Sequence, residues 1–267
     1  MRITSVSASI GISIGISISI LLASLCSTSA RAATPDPTAT ETWRPEPLKV
    51  TPGNAARAPS DAIVLFDGSD LKEWTTSGAT PVAAAWPVTA GVLKVQSGAG
   101  HIQTRRSFLD YQLHLEWRTP ADVIGAGQHR GNSGVFLAST GPDLRGYELQ
   151  VLDCAANETY VNGQAGSIYK QLPPMVNACR SNGEWQSYDV LWTAPRFDPA
   201  GALLTPARVT VLHNGVLVQW HATLKGETRY AGTPQYFAHG ASPILLQDHG
   251  DKGPGVDFRN IWVRDIK

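Results

Sequence analysis

Val209-Thr-Val-Leu-His-Asn-Gly-Val-Leu-Val-Gln-Trp220 is the stretch from which the fold can be read. Two apolar runs flank Asn214-Gly215, and Asn-Gly supplies the two positive φ angles of a type I′ turn. The segment predicts a β-hairpin with strands over 209–213 and 216–220. Next, Tyr111-Gln-Leu-His-Leu-Glu-Trp-Arg-Thr119 puts Tyr111, Leu113, Leu115 and Trp117 on one parity, and Gln112, His114, Glu116 and Arg118 on the other. Successive strand side chains point to opposite faces, so this predicts a strand with one buried and one wet face. Working outward, strands are expected over 63–66, 91–96, 134–137, 147–152, 187–192, 244–247 and 256–263. No segment after residue 60 sustains a 3.6-residue period. Many short strands split by Gly, Pro, Asn and Asp predict an all-β antiparallel sandwich of the jelly-roll kind, without internal repeats.

Composition narrows the function. The 267 residues are 42% hydrophobic and 16% charged, too apolar for a disordered chain. The 22 Lys and Arg balance 22 Asp and Glu, so the basic excess of a nucleic-acid binder is missing. Residues 1–32 read as a signal peptide: Met1-Arg2, an apolar Ser/Ile-rich run over 10–25, then Ala30-Arg31-Ala32 at a peptidase site. The apolar run is short and broken by Ser and Gly, unlike a membrane span. A secreted or periplasmic product with no transmembrane segment is expected once this leader is removed. Residues 33–60, rich in Pro, read as an extended tail, which leaves 61–267 as the sandwich domain. Cys26 leaves with the leader. Cys154 and Cys179 remain, and in an oxidising compartment an even pair reads as a disulfide, the alternative being two buried thiols that never meet.

A set of short motifs follows the strands in order. Leu65-Phe-Asp-Gly68 with Leu71 and Trp74 opens it, and Trp86 with Gly91-Val-Leu93 follows. Arg130-Gly-Asn-Ser-Gly134, Tyr147-Glu-Leu-Gln-Val-Leu-Asp153, Gly166-Ser-Ile-Tyr169 and Gly183-Glu-Trp185 come next. Leu246-Gln-Asp-His-Gly250 and Phe258-Arg-Asn-Ile261 close it. In register, these motifs resemble the 3-keto-disaccharide hydrolase domain family, formerly a domain of unknown function, over residues 61–267. The resemblance implies a concanavalin A-like glucanase fold. It also implies action on glycosides whose ring carries a ketone at carbon 3, made by a partner dehydrogenase. Such a ketone acidifies the proton on carbon 2, and the glycosidic oxygen on carbon 1 becomes a β leaving group. Cleavage can then run by elimination followed by hydration. That route needs a base at carbon 2, a cation or metal at the enolate oxygen, and a donor for the leaving group.

The residues supply candidates for each task. Retaining glucanases on related sandwiches carry paired carboxylates on one strand, but the same parity here reads Glu148, Gln150, Leu152. The second carboxylate is missing unless a bulge turns Asp153 inward. Glu148 alternates with the apolar Leu149 and Val151, so it is the candidate base on the face opposite the core. His249, after Gln247 and Asp248 at a strand end, is read with Asp248 as catalytic; it is a leaving-group donor, a metal ligand or a loop-stabilising residue. Glu148 and His249 suit a shared divalent metal, the one cofactor considered, although no metal-binding spacing is present; His129 adds a ligand or merely occupies a loop. Arg130, Asn132, Gln150, Tyr169, Gln247 and Arg259 are the candidate substrate contacts. Arg259 either holds an enolate through its planar fork or pairs with a carboxylate such as Asp153 or Asp257. Tyr169 and Trp185 are either sugar platforms or core aromatics. The expected ligand is an oligosaccharide or glycoside, and the competing reading is a non-catalytic carbohydrate-binding module on the same sandwich.

Overall fold

Alternation along Tyr111–Arg118 buries Tyr111, Leu113, Leu115 and Trp117, and this parity fixes which way the central strands face. The computed structural model describes residues 11, 34–54, 57–142 and 144–266. It divides into two units, Met1–Leu48 and Lys49–Lys267. The leader read over 1–32 lies outside the described residues except Gly11. In the first unit, Pro37–Thr40 forms a single 3₁₀ turn capped by the Asp36 side chain.

The second unit carries an eight-stranded and a five-stranded antiparallel sheet. Across the larger run Val216–Thr223, Arg208–His213, Gln186–Thr193, Tyr111–Arg118, Asp257–Asp265, Val92–Lys94 and Val88–Thr89, with Ile63–Phe66 also paired to Asp257–Asp265. The smaller runs Trp74–Thr76, Ile102–Thr104, Leu245–Leu246, Ser133–Gly141 and Arg145–Val151. Their inner faces share one core: Leu113, Leu115, Trp117, Val190 and Trp192 from the larger sheet meet Val135, Leu137, Leu149, Val151 and Leu246 from the smaller. Buried polar tips find partners across it, Tyr111 donating to the Leu137 carbonyl at 2.5 Å and Tyr188 to that of Gln150 at 2.8 Å. Two motif tryptophans act as struts, Trp74 Nε1 donating to Leu65 O and Trp86 Nε1 to Gly100 O. Among the described residues the helical elements are short 3₁₀ turns, so the protein is an all-β sandwich of the jelly-roll kind. No helix among them is long and apolar enough to cross a membrane.

The predicted hairpin forms as Arg208–His213 and Val216–Thr223, with Asn214 and Gly215 at φ 53° and 78°. Cys154 and Cys179 are bridged, Cα atoms 5.9 Å apart. The bridge joins positions 25 apart in sequence and closes the loop that carries Gly166–Tyr169, worth roughly 3 kcal/mol in the loop-entropy model.

Candidate active site

The outer face of the smaller sheet is where its sequence stops being apolar. Leu149 and Val151 enter the core, so Glu148 and Gln150 turn outward, beside Phe136 and Gly134 of the paired strand. There they line a cavity of about 340 Å³ with Asn132, Tyr169, Gln247 and His249. The turn after residue 165 holds Tyr169 in place, its N–H donating to the Glu148 carbonyl at 3.1 Å. Gln247 is tied to the neighbouring strand twice, by its own N–H to Gly134 O and by Ser133 Oγ donating to its carbonyl.

Glu148 is the cavity carboxyl whose titration burial displaces. Its side chain is 5% exposed, and burial pushes its carboxyl up from 4.5 to about 8. Room for it comes from Gly134, where a Cβ would lie 2.5 Å from Glu148 Oε1. Gln150 Nε2 donates to Asn132 Oδ1 and Gln128 Oε1, while its Oε1 is buried without a partner among the described residues. Gln247 Oε1 is buried without a partner too. Leaving a buried acceptor unsatisfied costs roughly 1–3 kcal/mol, so both oxygens are open to a donor that enters the cavity.

The sequence reading missed much of the remaining wall, formed by Arg145, Glu227, Thr228, Arg229 and Tyr230. Glu227 is 1% exposed and held by Thr140 Oγ1 at 2.6 Å and by Arg145 at 3.3 Å. The only signal for this wall was a polar run in a long connection without a strand period. Asp251 was missed as well. It lies 2.7 Å from His249 Nδ1 and 3.6 Å from His129 Nδ1, and its second oxygen accepts the Asn132 N–H.

Asp248, Arg130 and Arg259 lie outside the cavity. Asp248 accepts the Gly100 and Gly250 N–H groups, so it shapes the turn that carries His249. Arg130 pairs with buried Asp153, and neither residue lines the cavity. Arg259 sits on the outer face of the larger sheet, not with Glu148: its guanidinium pairs with Glu116 at 2.6 Å and covers the Trp185 ring at 4.1 Å. Trp185 is thus on the wrong face to platform a sugar in the cavity. Burial alone would raise the Glu116 carboxyl, but the His114 imidazole 3.9 Å away and hydrogen bonds from Asn260 and Arg259 hold it at about 2. Arg259→Lys keeps the charge and loses the fork. With the Arg259 side chain 41% exposed, screening reduces the expected loss to about 1 kcal/mol, a melting point lower by roughly 2–4 °C. Turnover should be unchanged, and a selective loss of turnover at constant melting temperature would return Arg259 to the site.

What fold and site define is a β-sandwich with a polar cavity on the outer face of its smaller sheet, floored by a buried, protonatable glutamate. The chain belongs to the family described as the 3-keto-alpha-glucoside-1,2-lyase-like domain, whose model matches residues 61–264. A candidate glycosyl hydrolase from Parabacteroides distasonis ATCC 8503, solved at 2.13 Å, is 47% identical over 86% of this chain and 97% of its own, with a TM-score of 0.80. A second from the same organism is 19% identical over 78% of this chain and 94% of its own, TM-score 0.55. A third is 22% identical over 77% and 99%, TM-score 0.53. These two share the fold. No curated protein matches the chain.

Proposed function

We propose that the protein cleaves the glycosidic bond of 3-keto-glycosides by elimination across carbons 1 and 2, followed by hydration. The observation that carries this reading is Glu148, a carboxyl buried in the cavity floor and tuned to about 8. In its ionised form it takes the proton from carbon 2. The electrons of that C–H bond form the C1=C2 double bond through the enolate while the C1–O bond breaks, and the departing oxygen takes a proton. Water then adds to carbon 1 of the enone as a proton returns to carbon 2. Asn132, Gln150, Gln247 and Tyr169 supply the amide and phenol groups that orient the ring hydroxyls. His249 faces the same space and suits either protonation of the leaving oxygen or metal binding.

The family description, a lyase across positions 1 and 2, supports the elimination. Ordinary two-carboxylate hydrolysis is disfavoured because Glu227, the other carboxylate lining the cavity among the described residues, is already engaged by Thr140 and Arg145. A module that only binds sugar has no use for an acid buried at this cost. The bridge and the leader-like N-terminus support action in a secreted or periplasmic setting.

The pH profile tests the assignment. Glu148 is a base only above its own pKa, so kcat/KM on a 3-keto-glucoside should rise through about pH 8. A profile flat or falling between pH 6 and pH 9 would remove Glu148 as the base.

A further inference from the structure

We propose that His129, His249 and Asp251 bind one divalent transition-metal ion at the edge of the cavity. Each offers a ligand atom, and these atoms all lie within 4.8 Å of one another. The two imidazole rings stand 5.8 Å apart, with the carboxylate between them. Asp251 is oriented from behind, because Asn132 N–H occupies Oδ2 at 3.1 Å and leaves Oδ1 toward the histidines. Such outer hydrogen bonds are how ligating carboxylates are fixed.

His129 is the informative member. Its side chain is 83% exposed, yet the segment that presents it is pinned. Asn157 bonds both the N–H and the carbonyl of Gly127, and the Gln128 amide donates to Thr159 Oγ1 and to the Gly163 carbonyl. At Gly125, φ is 103° and a Cβ would fall 2.0 Å from the His129 carbonyl, so the backbone closes tightly around this residue. Four buried or half-buried contacts thus hold an imidazole in water beside a second imidazole and a carboxylate. A loop that needed only stability would not require a histidine there.

The donor set selects the ion. Imidazole nitrogen favours zinc, cobalt or nickel over calcium and magnesium, which prefer all-oxygen shells. Zinc bonds of about 2.0–2.2 Å set tetrahedral ligand atoms roughly 3.4 Å apart, so the His249–Asp251 pair, now at 2.7 Å, opens slightly while exposed His129 swings in to close the site. Two histidines and a carboxylate leave coordination positions open, the pattern of catalytic rather than structural zinc sites. Because His249 also lines the cavity, an ion held there would border the space that Glu148 lines. A role for the ion in holding the enolate oxygen rests on the proposed elimination, but its binding does not.

Untagged protein, stripped with chelator and dialysed, should be titrated with Zn²⁺ by calorimetry and with Co²⁺ by visible absorption. One equivalent should bind, with a Co²⁺ spectrum of mixed nitrogen and oxygen ligation, and Ca²⁺ should not compete. His129→Ala should weaken binding about 100-fold or more at an unchanged melting temperature, and Asp251→Asn should do the same. Absence of binding at millimolar Zn²⁺, or equal binding by the variants, would overturn the site. Binding without turnover of any 3-keto-glycoside would leave the site standing and refute the elimination. Turnover by stripped protein that is unaffected by His129→Ala would refute the ion's catalytic role and leave Glu148 chemistry intact.

Discussion

Glu148→Gln should lose about 10²–10⁴-fold in turnover of a 3-keto-glycoside, the usual contribution of a positioned base. The same change should make the protein more stable near neutral pH. The sign follows from linkage. Burial raises the folded-state carboxyl to about 8 from 4.5, so the folded state binds a proton that the unfolded state has released across that interval. Below pH 4.5 both states are protonated and Glu148 costs nothing. As pH climbs toward 8 stability is lost, by about 3 kcal/mol at pH 7 and about 5 above the folded value. Arg145, Glu227, Arg229, Tyr169 and His249 share the cavity, but desolvation is the cause of the shift. Glutamine carries no charge, so thermal melts of variant and parent should diverge above pH 6 and converge at pH 4. A variant that loses activity and is also less stable at pH 8 would make Glu148 a structural residue.

Gly134→Ala should disable the site without touching a polar group. A Cβ there would stand 2.5 Å from Glu148 Oε1, 3.1 Å from its Cγ and 3.2 Å from its Cδ. Gly134 has no left-handed φ, so the backbone accepts alanine and it is the carboxyl that must move. Misplacing a reacting group by about 1 Å can cost about 10²-fold, and that is the expected fall in kcat. Combined with Glu148→Gln, the alanine should add little further loss, because both changes remove the same base. Full activity in Gly134→Ala would mean that the carboxyl does not act from where the structure puts it.

The strand pattern was legible because burial on one face writes a two-residue period into the sequence. Tyr111–Arg118, the Asn214-Gly215 hairpin and the outward parity of Glu148 and Gln150 all follow from that rule. Short pairings such as Trp74–Thr76 and Ile102–Thr104 escaped, since three residues are too few to display a period. The period reads a face, but it does not say which of two outer faces a residue joins. Arg259 alternates correctly and still belongs to the larger sheet, where Glu116 and Trp185 occupy it. The wall from Glu227 to Tyr230 comes from a connection whose course is set by tertiary contacts, among them Thr228 N–H to Gly146 O and Glu227 N–H to Gln235 O. Such contacts leave no local pattern. Asp251 was hidden for the same reason, because its partners His129 and Asn132 are more than a hundred residues away.

Elimination and direct hydrolysis part company at carbon 2. The decisive measurement is turnover of a 3-keto-glucoside in D₂O, with the released sugar examined for deuterium at that carbon and the matching unoxidised glucoside run beside it. Abstraction by Glu148 and return of a solvent proton on hydration predict one deuterium at carbon 2 per turnover, above uncatalysed exchange, and an inert unoxidised glucoside. Cleavage that retains hydrogen at carbon 2, with the unoxidised glucoside cut at a comparable rate, would contradict the mechanism.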